Sequence, residues 1–124
     1  MSKWDMSNKR KPLPKTMRLR VYKKYAGRCA YCGKQIKYED MQVDHIEPVY
    51  LGGDNSFNNL LPACRSCNFY KASYSVDEFR QQVGLINARL AKELIYRIAL
   101  DYGIIEETGK EVMFYFESHR AEAL

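Results

Sequence analysis

Two cysteine pairs constrain this chain more than any other feature: Cys29-x-x-Cys32, then thirty-one residues, then Cys64-x-x-Cys67. Paired turns of this kind offer four soft thiolates, and Zn(II), which has no ligand-field preference, accepts them tetrahedrally at about 2.3 Å. One ion then staples together two stretches that are distant in sequence. A domain of 124 residues gains from such a staple, because it buries only about 60–70% of the surface its unfolded chain exposes. Two disulfides are the competing use of four cysteines. The first twenty residues are basic without an apolar stretch, which argues against a signal peptide, and no apolar run reaches the ~18 residues of a membrane span. The chain is therefore expected in a reducing cytoplasm, away from membranes, where a metal is favoured over disulfides. Four thiolates and one dication would lower the formal net charge from +5 to +3.

Charge is unevenly spread. Residues 1–28 carry ten Lys or Arg against the single Asp5, a net +9, whereas the other ninety-six residues carry ten bases and fourteen acids, a net −4. A basic arm on a mildly acidic body suits a polyanionic partner and predicts salt-dependent binding through counterion release. Lys9, Arg10, Lys11, Lys15, Arg18, Arg20, Lys23 and Lys24 are the candidate phosphate contacts. A solubilising tail is the alternative reading of the same charges.

With 46% hydrophobic and 28% charged residues, the composition is that of one globular domain. It divides into a flexible basic arm over 1–15, a core over 16–74 and an extension over 75–124. Met17, Val21, Tyr22 and Tyr25 predict a helix from Thr16 to Ala26, with Thr16 as its cap and Gly27 closing it. A short helix is expected from Cys64 to Ala72, with both cysteines on its first turn, where the positive helix end favours thiolates. Ser75 and Glu78 have capping-box spacing, and Phe79, Val83, Ile86, Leu90, Leu94 and Ile98 then predict a long amphipathic helix to about Tyr102, with Gly84 as a candidate break. Two β-favouring runs, Ile104–Glu106 and Val112–Phe116, flank Thr108-Gly109-Lys110 and predict a terminal hairpin. The Phe114-Tyr115-Phe116 run suits a core strand or a surface for self-association or docking. His119 lies outside every motif, and Tyr22, Tyr25 and Tyr115 suit the core better than base stacking.

Between the cysteine pairs lie residues suited to phosphodiester hydrolysis. That reaction needs an activated water and something to neutralise charge growing on the phosphoryl and leaving oxygens. An imidazole, with an ordinary pKa near 6.5, is the side chain best suited to take the proton, and His45 offers one. The neighbouring Asp44 is a hard oxygen ligand of the kind Mg(II) takes one or two of.

The ordered set Asp44-His45-Ile46-x-Pro48, Gly52-Gly53-Asp54, Asn59-Leu60 and Cys67-Asn68-x-x-Lys71 closely resembles the HNH endonuclease family, over roughly residues 17–72. The resemblance implies an α+β fold with a zinc-stapled ββα-metal core: a first strand at Val43–His45, a second at Asn59–Pro62, a loop through Gly52-Gly53 between them, then the Cys64–Ala72 helix. It implies His45 as general base and Asn59 as the amide that braces the loop and orients that base. It also implies Asp44 and Asn68 as holders of a catalytic Mg(II) or Mn(II), Lys71 as a contact to the scissile phosphate, and DNA as substrate. Cys29, Cys32, Cys64 and Cys67 would hold the structural zinc. Asn68 departs from the histidine common at the third motif position, and its carbonyl oxygen shifts the preference from Zn, Ni or Cu toward Mg or Mn. A regular strand would point Asp44 and His45 to opposite faces, so the strand is expected to end or bulge there. A zinc-stapled nucleic-acid-binding module without turnover is the first alternative, and a protein-docking zinc module the second.

Overall fold

A computed structural model describes residues 13–122. Residues 15–23 form α1 (Lys15–Lys23), with Val21 buried and Met17 and Tyr22 against the core, and Tyr25, just past its end, is buried as well. The helix begins one residue before the expected cap. Pro14, with φ −57°, occupies the cap position and its carbonyl accepts from the Arg18 amide at 2.9 Å, so Thr16 lies inside the first turn. It also ends earlier than Ala26: the chain leaves through two left-handed residues, Ala26 (φ 55°) and Gly27 (φ 79°), and the Gly27 amide returns to the Tyr22 carbonyl.

After the first cysteine pair come β1 (Gln42–His45) and β2 (Leu60–Ala63), which pair antiparallel with Asp44 opposite Leu61 and His45 opposite Leu60. The ladder has no bulge: Asp44 and His45 are both paired in it, and β1 ends at His45. All four β2 residues are buried, and β2 meets α1 on one side. The Cys64 side chain caps α2 (Arg65–Lys71), which lies on β1 and stops at Ala72 with φ 48°.

Beyond the core, α3 (Val76–Gly84) opens with the expected capping box between Ser75 and Glu78 and buries Phe79. The single long helix of the sequence reading is instead three: α3, α4 (Ile86–Leu90) and α5 (Leu94–Asp101). The first break follows Gly84, where backbone freedom is greatest, and the second falls at Glu93, which is extended (φ −92°, ψ 127°). The apolar stripe runs on through both breaks, but Leu94, Ile95 and Ile98 are exposed, so packing does not hold the axis straight. Residues 104–114 form no hairpin; among the described residues the sheet holds only β1 and β2. Gly109 is left-handed (φ 69°) and the Lys110 amide donates to Thr108 Oγ1 at 3.1 Å, but the aromatic run satisfies its backbone elsewhere. The Tyr115 and Phe116 amides donate to the Tyr31 and Ala30 carbonyls at 3.0 and 2.8 Å, and Tyr115–Ser118 forms a single helical turn, α6. Phe114 is buried, stacked on Phe79 at 5.2 Å, while Glu117 pairs with Arg80. Among the described residues, no helix is long and apolar enough to cross a membrane.

Candidate active site and cysteine cluster

The four cysteines converge. Their Sγ atoms all lie within 4.8 Å of one another, and Cys32 and Cys64 stand 3.9 Å apart, against the about 3.8 Å that four sulfurs at 2.3 Å from one tetrahedral ion would show. Both turns fold locally toward this point. The Cys29 amide donates to Lys34 O at 2.8 Å while Gly33, with φ 82°, returns its amide to Cys29 O; on the other side the Cys67 amide donates to Cys64 Sγ at 3.3 Å. The thiols share protons unequally: hydrogen bonding from Cys67 pulls Cys29 down to about 4, and the same bond, with burial, pushes Cys67 up. Burial also raises Cys32. Four sulfurs this close, one of them already favoured as thiolate, fit a soft dication such as Zn(II).

A cleft of about 460 Å³ is lined by Asp44 and His45 from the end of β1, Pro48 and Val49 from the following loop, and Asn68, Lys71 and Ser73 from α2 and beyond. Four residues named by the motif thus meet in one place. Asp44 is buried. Its Oδ2 accepts from the Tyr31 hydroxyl at 2.5 Å and from Lys71 Nζ at 2.9 Å. His45 is half-buried, with Nε2 2.8 Å from Asn55 Oδ1.

Asn59 does not line the cleft. Its side chain clamps the loop: Oδ1 accepts from the Glu47 amide at 2.8 Å, and Nδ2 donates to Glu47 O at 3.2 Å and Asp54 O at 2.8 Å. The clamp needs Gly53. A Cβ there would stand 1.7 Å from Glu47 O, and the Gly53 amide donates to Pro48 O at 3.0 Å. Asp54 forms the next turn by accepting from the Ser56 amide at 3.1 Å, and hydrogen bonding from the Ser56 side chain, with that amide, holds its carboxyl below the usual range. Asn55 is thereby presented to His45.

Lys71 departs from the sequence reading. Only 1% exposed, its ammonium faces inward, donating to His45 O at 3.1 Å as well as to Asp44, and so ties the two motif residues together in place of extending toward a phosphate. The eight candidate phosphate contacts divide similarly. Lys9, Arg10 and Lys11 lie outside the described residues. Lys15, Arg20 and Lys23 are exposed on α1, with the Arg20 guanidinium 4.4 Å from the Phe57 ring. Arg18, half-buried, donates to Tyr38 O and Met41 O at 3.2 and 2.8 Å. Lys24 is buried with Nζ 2.8 Å from both Phe57 O and Leu60 O, and burial lowers its pKa. Arg18 and Lys24 are therefore committed to holding α1 on the core. Tyr31 and Asn55 escape a sequence reading, although a tyrosine inside a cysteine turn and an Asp-Asn pair in a glycine-rich loop are the signals that mark them.

A sequence model described as HNH endonuclease matches residues 29–83, and that part of the chain belongs to the HNH endonuclease family. The CRISPR-associated endonuclease Cas9 of Actinomyces naeslundii is 35% identical over 71 residues, which are 56% of this chain and 6% of the relative. Bacillus subtilis has a further relative, the SPbeta prophage-derived protein YoqL, 35% identical over 65 residues, covering 44% of this chain and 27% of that one. The crystal structure of the Type II-C Cas9 enzyme from Actinomyces naeslundii superposes with a TM-score of 0.52 at 28% identity, over 64% of this chain and 10% of that one. The chain thus spans a small part of the relatives it matches, and the residues matched by the family model hold the cysteine pairs, both strands and α2.

Proposed function

We propose that this chain is a metal-dependent DNA endonuclease that hydrolyses phosphodiester bonds with His45 as general base. The observation that carries this reading is the cleft in which Asp44, His45, Asn68 and Lys71 meet. Asp44 and Asn68 supply hard oxygen donors, a set that fits Mg(II) or Mn(II), and Asp44 Oδ1 has no protein donor among the described residues. A bound dication supplies charge neutralisation for the attacked phosphoryl group and the departing oxygen. With Asn55 Oδ1 as acceptor, His45 carries its proton on Nε2 and keeps the lone pair of Nδ1 for a water proton. Lys71 and Asn59 hold the groups that act: the first ties Asp44 to His45, the second fixes the loop that presents Asn55. Zn(II) in the four-cysteine cluster is structural. Lys15, Arg20 and Lys23 contact backbone phosphates without reading sequence.

Supercoiled-plasmid cleavage with Mg(II), Mn(II), Ni(II) or EDTA tests the proposal. The native chain should nick or cut with Mg(II) or Mn(II), and His45→Ala should retain zinc and DNA binding while losing cleavage. A zinc-loaded native chain that shifts DNA with or without Mg(II) and never nicks it would be a binding module.

A further inference from the structure

Tyr31 is a phenol among phenylalanines. The rings of Phe79, Phe114 and Phe116 meet it edge-on at 5.2, 5.1 and 5.8 Å, and it is 2% exposed. A phenylalanine would fill that cage equally well, and burying a hydroxyl costs free energy unless it has a partner. The partner is Asp44 Oδ2, at 2.5 Å. We infer that Tyr31 is a positioning residue for the carboxylate of Asp44, and that the cysteine cluster and the C-terminal segment act on the cleft through it. The inference rests on the reading that Asp44 holds the catalytic dication.

Three constraints fix the hydroxyl in space. Tyr31 lies between Cys29 and Cys32, so an ion bound by their sulfurs holds its backbone on both sides. The Ala30 amide donates to Pro62 O at 2.8 Å, tying that turn to β2, the strand that pairs with β1. From the far end of the chain, the Tyr115 and Phe116 amides bond the Tyr31 and Ala30 carbonyls, and Phe114 and Phe116 close the ring cage. A tyrosine has two side-chain torsions, and a ring wedged by three others keeps neither free. Asp44, by contrast, ends in a carboxylate whose last torsion is intrinsically broad. Tyr31 and Lys71 both bind the same oxygen, so the carboxylate plane is set and Oδ1 is left without a protein donor among the described residues. A ligand oxygen aimed in advance saves the ordering that a free carboxylate would undergo on binding.

The test uses the full zinc-loaded chain. Tyr31→Phe keeps the ring and removes the hydroxyl; it should retain one zinc per chain and a cooperative urea melt. Binding of Mn(II) alone, followed by electron paramagnetic resonance, should weaken about tenfold. The Mg(II) concentration for half-maximal plasmid nicking should rise by a similar factor, with turnover at saturating Mg(II) near native. A purely packing role would move the melt and leave Mn(II) affinity unchanged. Should Tyr31→Phe lose its zinc, Phe114→Leu, which loosens the cage without touching sulfur or hydroxyl, should weaken Mn(II) binding in the same direction by a smaller factor. Asp44→Asn locates the bound ion. A native chain that neither binds Mn(II) in an Asp44-dependent way nor nicks DNA overturns the underlying reading. A native chain that does both, beside a zinc-loaded variant of native Mn(II) affinity, overturns this inference alone.

Discussion

Replacing Lys71 by Met keeps the length of a fully buried side chain and removes its charge. In the native chain the ammonium lies 2.9 Å from Asp44 Oδ2 and 3.1 Å from His45 O, at 1% side-chain exposure against 8% for its carboxylate partner. With Lys71→Met, the carboxylate keeps only the Tyr31 hydroxyl, and the His45 carbonyl loses a donor. Stranding one member of a buried ion pair costs about 3–5 kcal/mol, a large share of the roughly 5–15 kcal/mol by which domains are stable. With a urea m-value of about 1.5 kcal/mol/M, the unfolding midpoint of the zinc-loaded chain should fall by about 2–3 M. Asp44→Asn combined with Lys71→Met removes the stranded charge and should recover about 2 kcal/mol of that loss, a coupling that distant sites do not show. A Lys71→Met midpoint within about 0.3 M of native, or a double variant no more stable than the single one, would refute the claim that the two charges hold each other.

Chelation of the native chain, or Cys64→Ser, should abolish the cooperative melt and release the zinc, because metal binding is part of the folding free energy; a chelator-insensitive melt contradicts this. Gly53→Ala places a methyl group 1.7 Å from Glu47 O, so the clamp through Asn59 must open. Cleavage should fall at least tenfold with a stability loss of about 1–3 kcal/mol by urea melt. Lys24→Met deprives Phe57 O and Leu60 O of their shared donor and should cost about 1–3 kcal/mol while leaving the salt dependence of DNA affinity unchanged. Lys23→Ala should do the reverse, sparing the melt and flattening the salt slope by about 0.9. Arg80 holds the Glu117 carboxyl below its ordinary range. That depressed pKa contributes stability above the unfolded carboxylate value, so acidification through the lower, folded value should free the C-terminal turn, seen as faster amide exchange at residues 114–118. Exchange indifferent to pH, after correction for its intrinsic rate, would count against the pairing.

Local chemistry is what a sequence displays most openly, and the legible parts of this chain are local. The cysteine spacing, the Ser75–Glu78 cap and the left-handed close at Gly27 each depend on a few neighbouring residues, and each forms where its pattern stands. The motif likewise names four side chains that line one cleft. What it withholds is direction. Asn68 and Lys71 stand three apart on α2, which promises a common face, yet only the position of β1 decides that the ammonium turns inward to Asp44. Lys24 belongs by composition to the basic arm, and it is the approach of Phe57 and Leu60 that buries it. The tail fails for the same reason: the β-favouring run at 112–116 reads as a strand, but the amides of Tyr115 and Phe116 go to the Cys29–Cys32 turn and no second strand is offered among the described residues. In α4 and α5 the helical period persists through two breaks, because periodicity reports which face is apolar and not whether anything lies against it.

The backbone bonds from Tyr115 and Phe116 to Tyr31 and Ala30 join residues more than eighty positions apart. On a ribosome the cysteine cluster can close once residue 67 has emerged, whereas the ring cage around Tyr31 waits for residues 114–116. A nascent chain therefore acquires its stapled scaffold before its finished cleft, which waits for a stretch translated well after the second cysteine pair.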